Sequence, residues 1–295
     1  MKFRHCTCSS PGDTGGAKTG FTLVELLVVI AIIGILTAVF LPVLARAKTR
    51  ALRIQCISNE RQLTLTWAVY LGDNDNKLPP NSKCPPDGDP DLKLWVQGSY
   101  YYPDTNDALL YSPKYALFAP YLAATRVYHC PADISEFSRN GIQCPKLRSY
   151  GLNAWMGWAG VWDGVLGSPT GCRIFQQASE ITTPSRYFTF QDVYPSSICW
   201  PSFGVSMTYP GSEVFYNFPS IAHDNGGVVA FADSHVEWHR WRDPRTLSPT
   251  SIDFHRHSDP SPYNADVDWL QYHATIIVDQ PTLTLPPGKG PTGPM

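Results

Sequence analysis

Five side chains able to bind a metal or move a proton, His223, Asp224, Asp233, His235 and His239, fall within one short stretch near the C-terminal third of the chain. If Val228–Ala232 and Val236–Trp241 pair as a hairpin, Asp233-Ser234-His235 forms its connection. His223 then lies at the other end or crosses to a neighbouring strand. Imidazole and carboxylate together suit zinc or manganese, so His223, Asp233 and His235 are candidate metal ligands. A turn aspartate bonding local amides and a histidine bonding a loop explain the same residues more simply. No nucleophile–base arrangement is evident, so no catalytic residues are assigned and no cofactor is expected.

Three other constellations invite chemistry. Asp73-x-Asp75 resembles the start of an EF-hand, but position five would be Lys77 and position twelve Cys84, so that loop fails. A helix-ending Asx turn fits better, with an irregular calcium site as the alternative. Trp155, Trp158 and Trp162 stand close together and could stack on a polymer if exposed; such residues more often fill a core or a subunit interface. Beyond Cys6 and Cys8, six cysteines remain: Cys56, Cys84, Cys130, Cys144, Cys172 and Cys199. In an exported domain an even count favours at least one disulfide, and Cys130 with Cys144 would close a short loop. No C-x-x-C pair supports a zinc ribbon.

The elements that must position these residues begin with a charge-free run, Leu26 to Ala45, between Glu25 and Arg46. Some 20 apolar residues rise ~30 Å as a helix, the thickness of a bilayer's hydrocarbon core. Charged residues make up 16% of the whole chain, and this run holds none of them. A net charge of -2 shows no basic excess, so nucleic acid is not an expected partner. Pro42 should kink or loosen the helix near its far end. A signal peptide fits badly, because its n-region would be long and would contain Pro11, Gly12, Gly15 and Gly16. A carboxylate at the edge of a span, such as Glu25, is costly unless paired.

The string Gly20-Phe21-Thr22-Leu23-Val24-Glu25, with the apolar run after it, resembles the processing signal of type IV pilin-like proteins, a family that includes the pseudopilins of type II secretion. The resemblance implies cutting between Gly20 and Phe21 by a prepilin peptidase on the cytoplasmic side. It also implies N-methylation of the Phe21 amine by the same enzyme, whose methyl donor is S-adenosylmethionine. Beside it stands a physical argument. Cutting creates an α-amine four residues before Glu25, and in a filament that carboxylate can pair with the Phe21 amine of a neighbour. Each charge is then neutralised where leaving it alone is expensive. Charge counting votes the other way: Arg46, Lys48, Arg50 and Arg53 follow the span and by themselves favour that side inside. The cut-site motif overrules this vote.

After the span the helix should continue to about Leu71, with Ala47, Ala51, Ile54, Cys56, Leu63, Trp67 and Tyr70 forming a stripe broken by Asn59-Glu60-Arg61-Gln62. Gly72 and the Asp/Asn run after it signal the stop. Prolines make 77–92 a loop. Leu94–Val96, Arg126–His129, Arg186–Phe190, Val228–Ala232 and Val236–Trp241 read as short strands. The resulting fold class is α+β: a long N-terminal transmembrane-to-soluble helix packed on a mainly antiparallel β-sheet head with long loops. The expected organisation is a cleaved leader over 1–20, a transmembrane helix over 21–45, its soluble continuation over 46–72, a globular head over 73–280 and a disordered Pro/Gly tail over 281–295.

Further strings extend the resemblance to a large group of pseudopilin-like bacterial proteins: Cys56-Ile57-Ser58-Asn59-Glu60-Arg61-Gln62-Leu63, Tyr128-His129-Cys130-Pro131-Ala132-Asp133, and Arg148-Ser149-Tyr150-Gly151-Leu152-Asn153. His223, nine residues, then Asp233-Ser234 resembles a C-terminal H-x9-D-G signature; Ser234 departs from the glycine of that group. The expectation is a non-enzymatic structural subunit that waits in the bacterial inner membrane, N-terminus in the cytoplasm and head outside. After processing at Gly20 and Phe21 it would enter a type II secretion or type IV pilus-like filament through Glu25. Its partners would be the prepilin peptidase, other pilin-like subunits and the inner-membrane assembly platform. The alternative is a membrane-anchored module that binds polysaccharide or cargo and never polymerises.

Overall fold

The computed structural model describes residues 22–83, 91–98, 108–122, 124–139, 142–167, 171–208 and 210–278. Gly20, Phe21, the expected leader and the expected tail lie outside them. The chain forms two units that divide between Ala47 and Lys48.

Helix α1 spans Leu23–Asp73. Its first part is built from Leu, Val, Ile and Ala and satisfies its own backbone, as a span in hydrocarbon must. It is long and apolar enough to cross a membrane, with a peak mean hydropathy of 3.0. Pro42 sits inside α1 and does not end it. The second part is amphipathic, but its buried face differs from the expected stripe. Cys56, Asn59, Glu60, Leu63, Thr64, Trp67, Tyr70 and Leu71 are buried, whereas Ala47, Ala51 and Ile54 are exposed. Asn59 and Glu60, read from the sequence as a polar interruption, lie on the packed face, where Asn59 donates to the His129 carbonyl and Glu60 is fully buried. The helix ends at Asp73, slightly beyond the expected stop. Its left-handed turn is made by Asp75 (φ 54) and Asn76 (φ 59) rather than by Gly72. These types tolerate that region, and the Asn76 amide donates to the Leu71 carbonyl at 2.9 Å.

A short helix α2 (Ala108–Tyr111) and the hairpin β1 (Glu136–Arg139) with β2 (Ile142–Pro145) precede the main sheet. That sheet contains β3 (Tyr150–Asn153), β4 (Phe188–Asp192), β5 (Ser202–Phe203), β7 (Gly226–Phe231) and β8 (Val236–Arg240), in the order β5-β3-β4-β7-β8. Only β3 with β5 is parallel; the other pairs are antiparallel. A small pair joins β6 (Val214–Phe215) to β9 (Asp259–Pro260). The turn helix α3 (Pro244–Leu247) and the helix α4 (Ala265–Ala274) complete the fold. The α+β class and the mainly antiparallel sheet are as expected. Arg126–His129, expected as a strand, instead lies in a 3-10 turn over Thr125–Tyr128 and the residue after it.

Both faces of the sheet are buried. Val228 and Ala230 of β7 join one core with Leu63 and Trp67 of α1; Val229 and Phe231 join a second with Val267 and Leu270 of α4. This explains why β7 reads as a continuous apolar run rather than an alternation. A bulge between Phe188 and Phe190 sends these two rings to opposite cores. The Thr64 hydroxyl of α1 lies 3.2 Å from that of Thr189 in the bulge and donates to the Phe231 carbonyl at 3.2 Å.

The β7–β8 hairpin forms as expected, with Asp233-Ser234-His235 at its connection. Ser234 adopts φ 71, the left-handed region that a glycine would enter without strain. Ser234→Gly is therefore expected to stabilise the chain by about 0.5–1 kcal/mol, measured as a rise in the denaturant midpoint. An unchanged or lower midpoint would contradict this reading of the turn.

Candidate functional site

Two sites emerge, one at the start of α1 and one under its second half. At the start, Thr22 and Glu25 cap each other. The Thr22 amide and hydroxyl donate to Glu25 Oε2 at 2.8 and 2.7 Å, and the Glu25 amide donates back to Thr22 Oγ1 at 3.2 Å. This is a reciprocal capping box, which satisfies donors that a helix start leaves without partners. The T-x-x-E signal for it was present in the sequence and was not read. It gives Glu25 a role within its own chain that is independent of any neighbour. From Leu23 to Leu44 the large apolar side chains project outward, from 45% exposed at Val29 to 78% at Leu23.

The second site is a buried polar cluster. Cys56 comes from α1, Cys130 from the segment after the 3-10 turn, Asp192 from the end of β4, and His223 from the turn before β7. Asp224 and Asn225 take φ 58 and 61 in that turn, and the His223 amide donates to the Gly226 carbonyl at 3.2 Å. A Cβ on Gly226 would stand 2.3 Å from the His239 carbonyl and 2.4 Å from Trp238 Nε1, so only glycine fits there. All four cluster residues are at most 1% exposed. Cys130 Sγ lies 3.2 Å from His223 Nε2, His223 Nε2 lies 3.4 Å from Asp192 Oδ2, and Cys56 Sγ lies 3.8 Å from Asp192 Oδ2. Tyr150 Oη approaches Cys56 Sγ at 3.3 Å, and Asn59 donates to the His129 carbonyl at 3.0 Å. Both carboxyl oxygens of Glu60 are buried without a hydrogen-bond partner among the described residues.

The electrostatics follow from this burial. Desolvation pushes the Glu60 carboxyl and the Cys56 thiol well up, with Asp192 nearby adding to both. Burial also raises Asp192, although His223 opposes it. Desolvation works against a charged His223, but its bonds to Asp192 and Cys130 prevail and hold it at about 9.

The sequence candidates are thus divided. His223 joins Cys56, Cys130 and Asp192. Asp233 and His235 lie beyond the opposite end of β7, a strand of about 20 Å, where Asp233 Oδ1 meets His235 Nδ1 at 2.5 Å in an exposed turn. His239 stacks on Trp269 of α4 with centroids 3.9 Å apart. Cys130 is a free thiol, so the expected Cys130–Cys144 link is not formed; Cys84 lies outside the described residues. Trp155 and Trp158 are 0% and 5% exposed and pack with Trp162 at 4.7 and 5.2 Å. The tryptophan group is core, not an exposed platform. Asp73 and Asp75 flank the end of α1, where Asn74 donates to the Tyr70 carbonyl at 2.8 Å.

Comparisons with known proteins meet the first site. Residues 16–41 match the model of the prokaryotic N-terminal methylation motif. The chain is 37% identical over 76 residues to the type II secretion system core protein G of Pectobacterium carotovorum subsp. carotovorum. That alignment covers 26% of this chain and 48% of the relative, so the chain spans about half the length of the curated relative it matches. No solved structure matches. The chain thus carries a prokaryotic N-terminal methylation motif at the start of its long apolar helix. About a quarter of the chain is homologous to a type II secretion pseudopilin.

Proposed function

We propose that the chain is a pseudopilin-type structural subunit. It is cut between Gly20 and Phe21, methylated on Phe21, and built into a type II secretion or pilus-like filament through Glu25 and the apolar half of α1. The observation that carries this reading is the first half of α1: its large apolar side chains face outward, beside a methylation motif over residues 16–41. Before assembly the bilayer covers that surface; in a filament neighbouring copies cover it. The span over 21–45 sits in the inner membrane with its N-terminus in the cytoplasm. The continuation over 46–72 and the head over 73–280 lie outside. Its partners are the prepilin peptidase, further pilin-like subunits and the assembly platform. The role is mechanical rather than catalytic: packing of helices along the filament moves heads and cargo outward.

The tethered binding module loses its motivating feature, because Trp155 and Trp158 are buried and Trp162 is half-buried against them. Cysteine crosslinking along 26–45, in cells that carry the assembly machinery, tests the proposal. Ladders of linked subunits are expected at positions spaced on one helical face. Monomers at every position would contradict assembly.

A further inference from the structure

The ligand atoms of Cys56, Cys130, Asp192 and His223 all lie within 4.8 Å of one another, and all four residues are buried. We propose that this cluster is a structural zinc site that fastens the second half of α1 to the sheet. A tetrahedral site with bonds of about 2.0 Å to N or O and about 2.3 Å to S has edges of about 3.3–3.8 Å. The separations of 3.2, 3.4 and 3.8 Å for Cys130–His223, His223–Asp192 and Cys56–Asp192 lie within about 0.3 Å of the edges such a site sets for each pair. The donor set of two sulfurs, one imidazole nitrogen and one carboxylate oxygen selects zinc over magnesium or calcium, which take oxygen. Its closure from solvent marks a structural rather than a catalytic metal.

The surroundings fit a bound cation. Tyr150 Oη is placed to donate to a Cys56 thiolate, and the Ser220 side chain favours the charged form of Asp192. Binding releases the two thiol protons and the imidazolium proton to solvent. Two thiolates and one carboxylate around a doubly positive ion leave one net negative charge for these donors to share. Asp233 and His235 of the β7–β8 turn take no part. The rival chemistry is a Cys56–Cys130 disulfide, which an oxidising compartment permits and which would remove both sulfur ligands.

The test uses the full chain in detergent, reduced, stripped with chelator and reloaded with Zn²⁺ or Co²⁺ alone. About one zinc per chain should be retained, with Cys56 and Cys130 shielded from alkylation until chelator is added. Cobalt should give a tetrahedral visible spectrum with thiolate charge transfer. That spectrum should be lost in Cys130→Ser and kept in Cys199→Ser, whose thiol pairs with His257 outside the cluster. The wild-type cobalt spectrum reads the ligands without any variant, so a poorly folding Cys130→Ser leaves the test intact. Failure of the wild-type chain to retain zinc would overturn the proposal. So would a cobalt spectrum without thiolate bands, or isolation of the native chain with a Cys56–Cys130 disulfide and no metal.

Discussion

Glu25→Ala is expected to leave the subunit inserted in the membrane and absent from filaments. Insertion depends on the apolar run from Leu26 to Ala45, which the substitution does not touch. In the proposed filament the carboxylate and a neighbour's Phe21 amine would meet in a layer of low dielectric. Breaking a buried ion pair by removing one partner costs about 3–5 kcal/mol, on the order of a hundredfold or more in incorporation. The capping box complicates this, since alanine also removes the bonds between Glu25 and Thr22, a loss of about 1 kcal/mol at a helix start. Glu25→Gln separates the two roles. Glutamine can close the same box but carries no charge. If the ion pair governs assembly, Glu25→Gln fails as badly as Glu25→Ala in a sheared-filament assay. Recovery of assembly by Glu25→Gln would show that Glu25 acts only as a cap.

Acid should weaken the head between pH 6.5 and about 4, because three histidines are held neutral inside it. Burial lowers His257, His239 and His273 to about 4 each. His257 is 3% exposed, its Nδ1 donates to the Tyr216 carbonyl at 2.8 Å, and its ring stacks on Tyr216 at 4.2 Å. His273 donates to the Trp269 carbonyl at 2.7 Å, and His239 and His273 also repel each other's charge. The unfolded chain takes up these protons near pH 6.5, before the folded chain does. Their stabilisation is therefore complete above 6.5 and declines as pH falls towards 4. A shift of that size corresponds to roughly 3 kcal/mol for the buried His257, and to less for His239 and His273, which are only partly buried. Denaturant midpoints should fall steeply from pH 7 to 4.5, and His257→Gln should flatten the fall. A midpoint that does not change across that range would contradict the neutral, buried assignment.

The parts of the molecule legible in its sequence were those fixed by local rules. A span must match the hydrocarbon core, so Leu26–Ala45 stood out by length and lack of charge. The β7–β8 hairpin was legible because its apolar strands flank a turn-forming Asp-Ser-His. Helix α4 was missed although its signals were present: Asn264 accepts from the Asp266 amide at 2.9 Å, and Asp266 and Asp268 occupy its first turn. The polar cluster had no local signal. Cys56 and Asp192 are 136 positions apart, and Cys130 and His223 are 93 apart. Asn59 and Glu60 looked like a solvent-facing interruption of α1 because only the folded sheet reveals what they face. Asp233 and His235 drew the metal reading towards themselves by proximity in sequence, whereas β7 carries them away from His223.

Mass analysis of the N-terminus tests the proposed cut between Gly20 and Phe21 directly. Chain isolated from cells with an active prepilin peptidase should begin at Phe21 and carry one added methyl group; chain from cells without the enzyme should keep the residues before it. An N-terminus at Met1 in both preparations would contradict the reading of this protein as a processed pilin-like subunit.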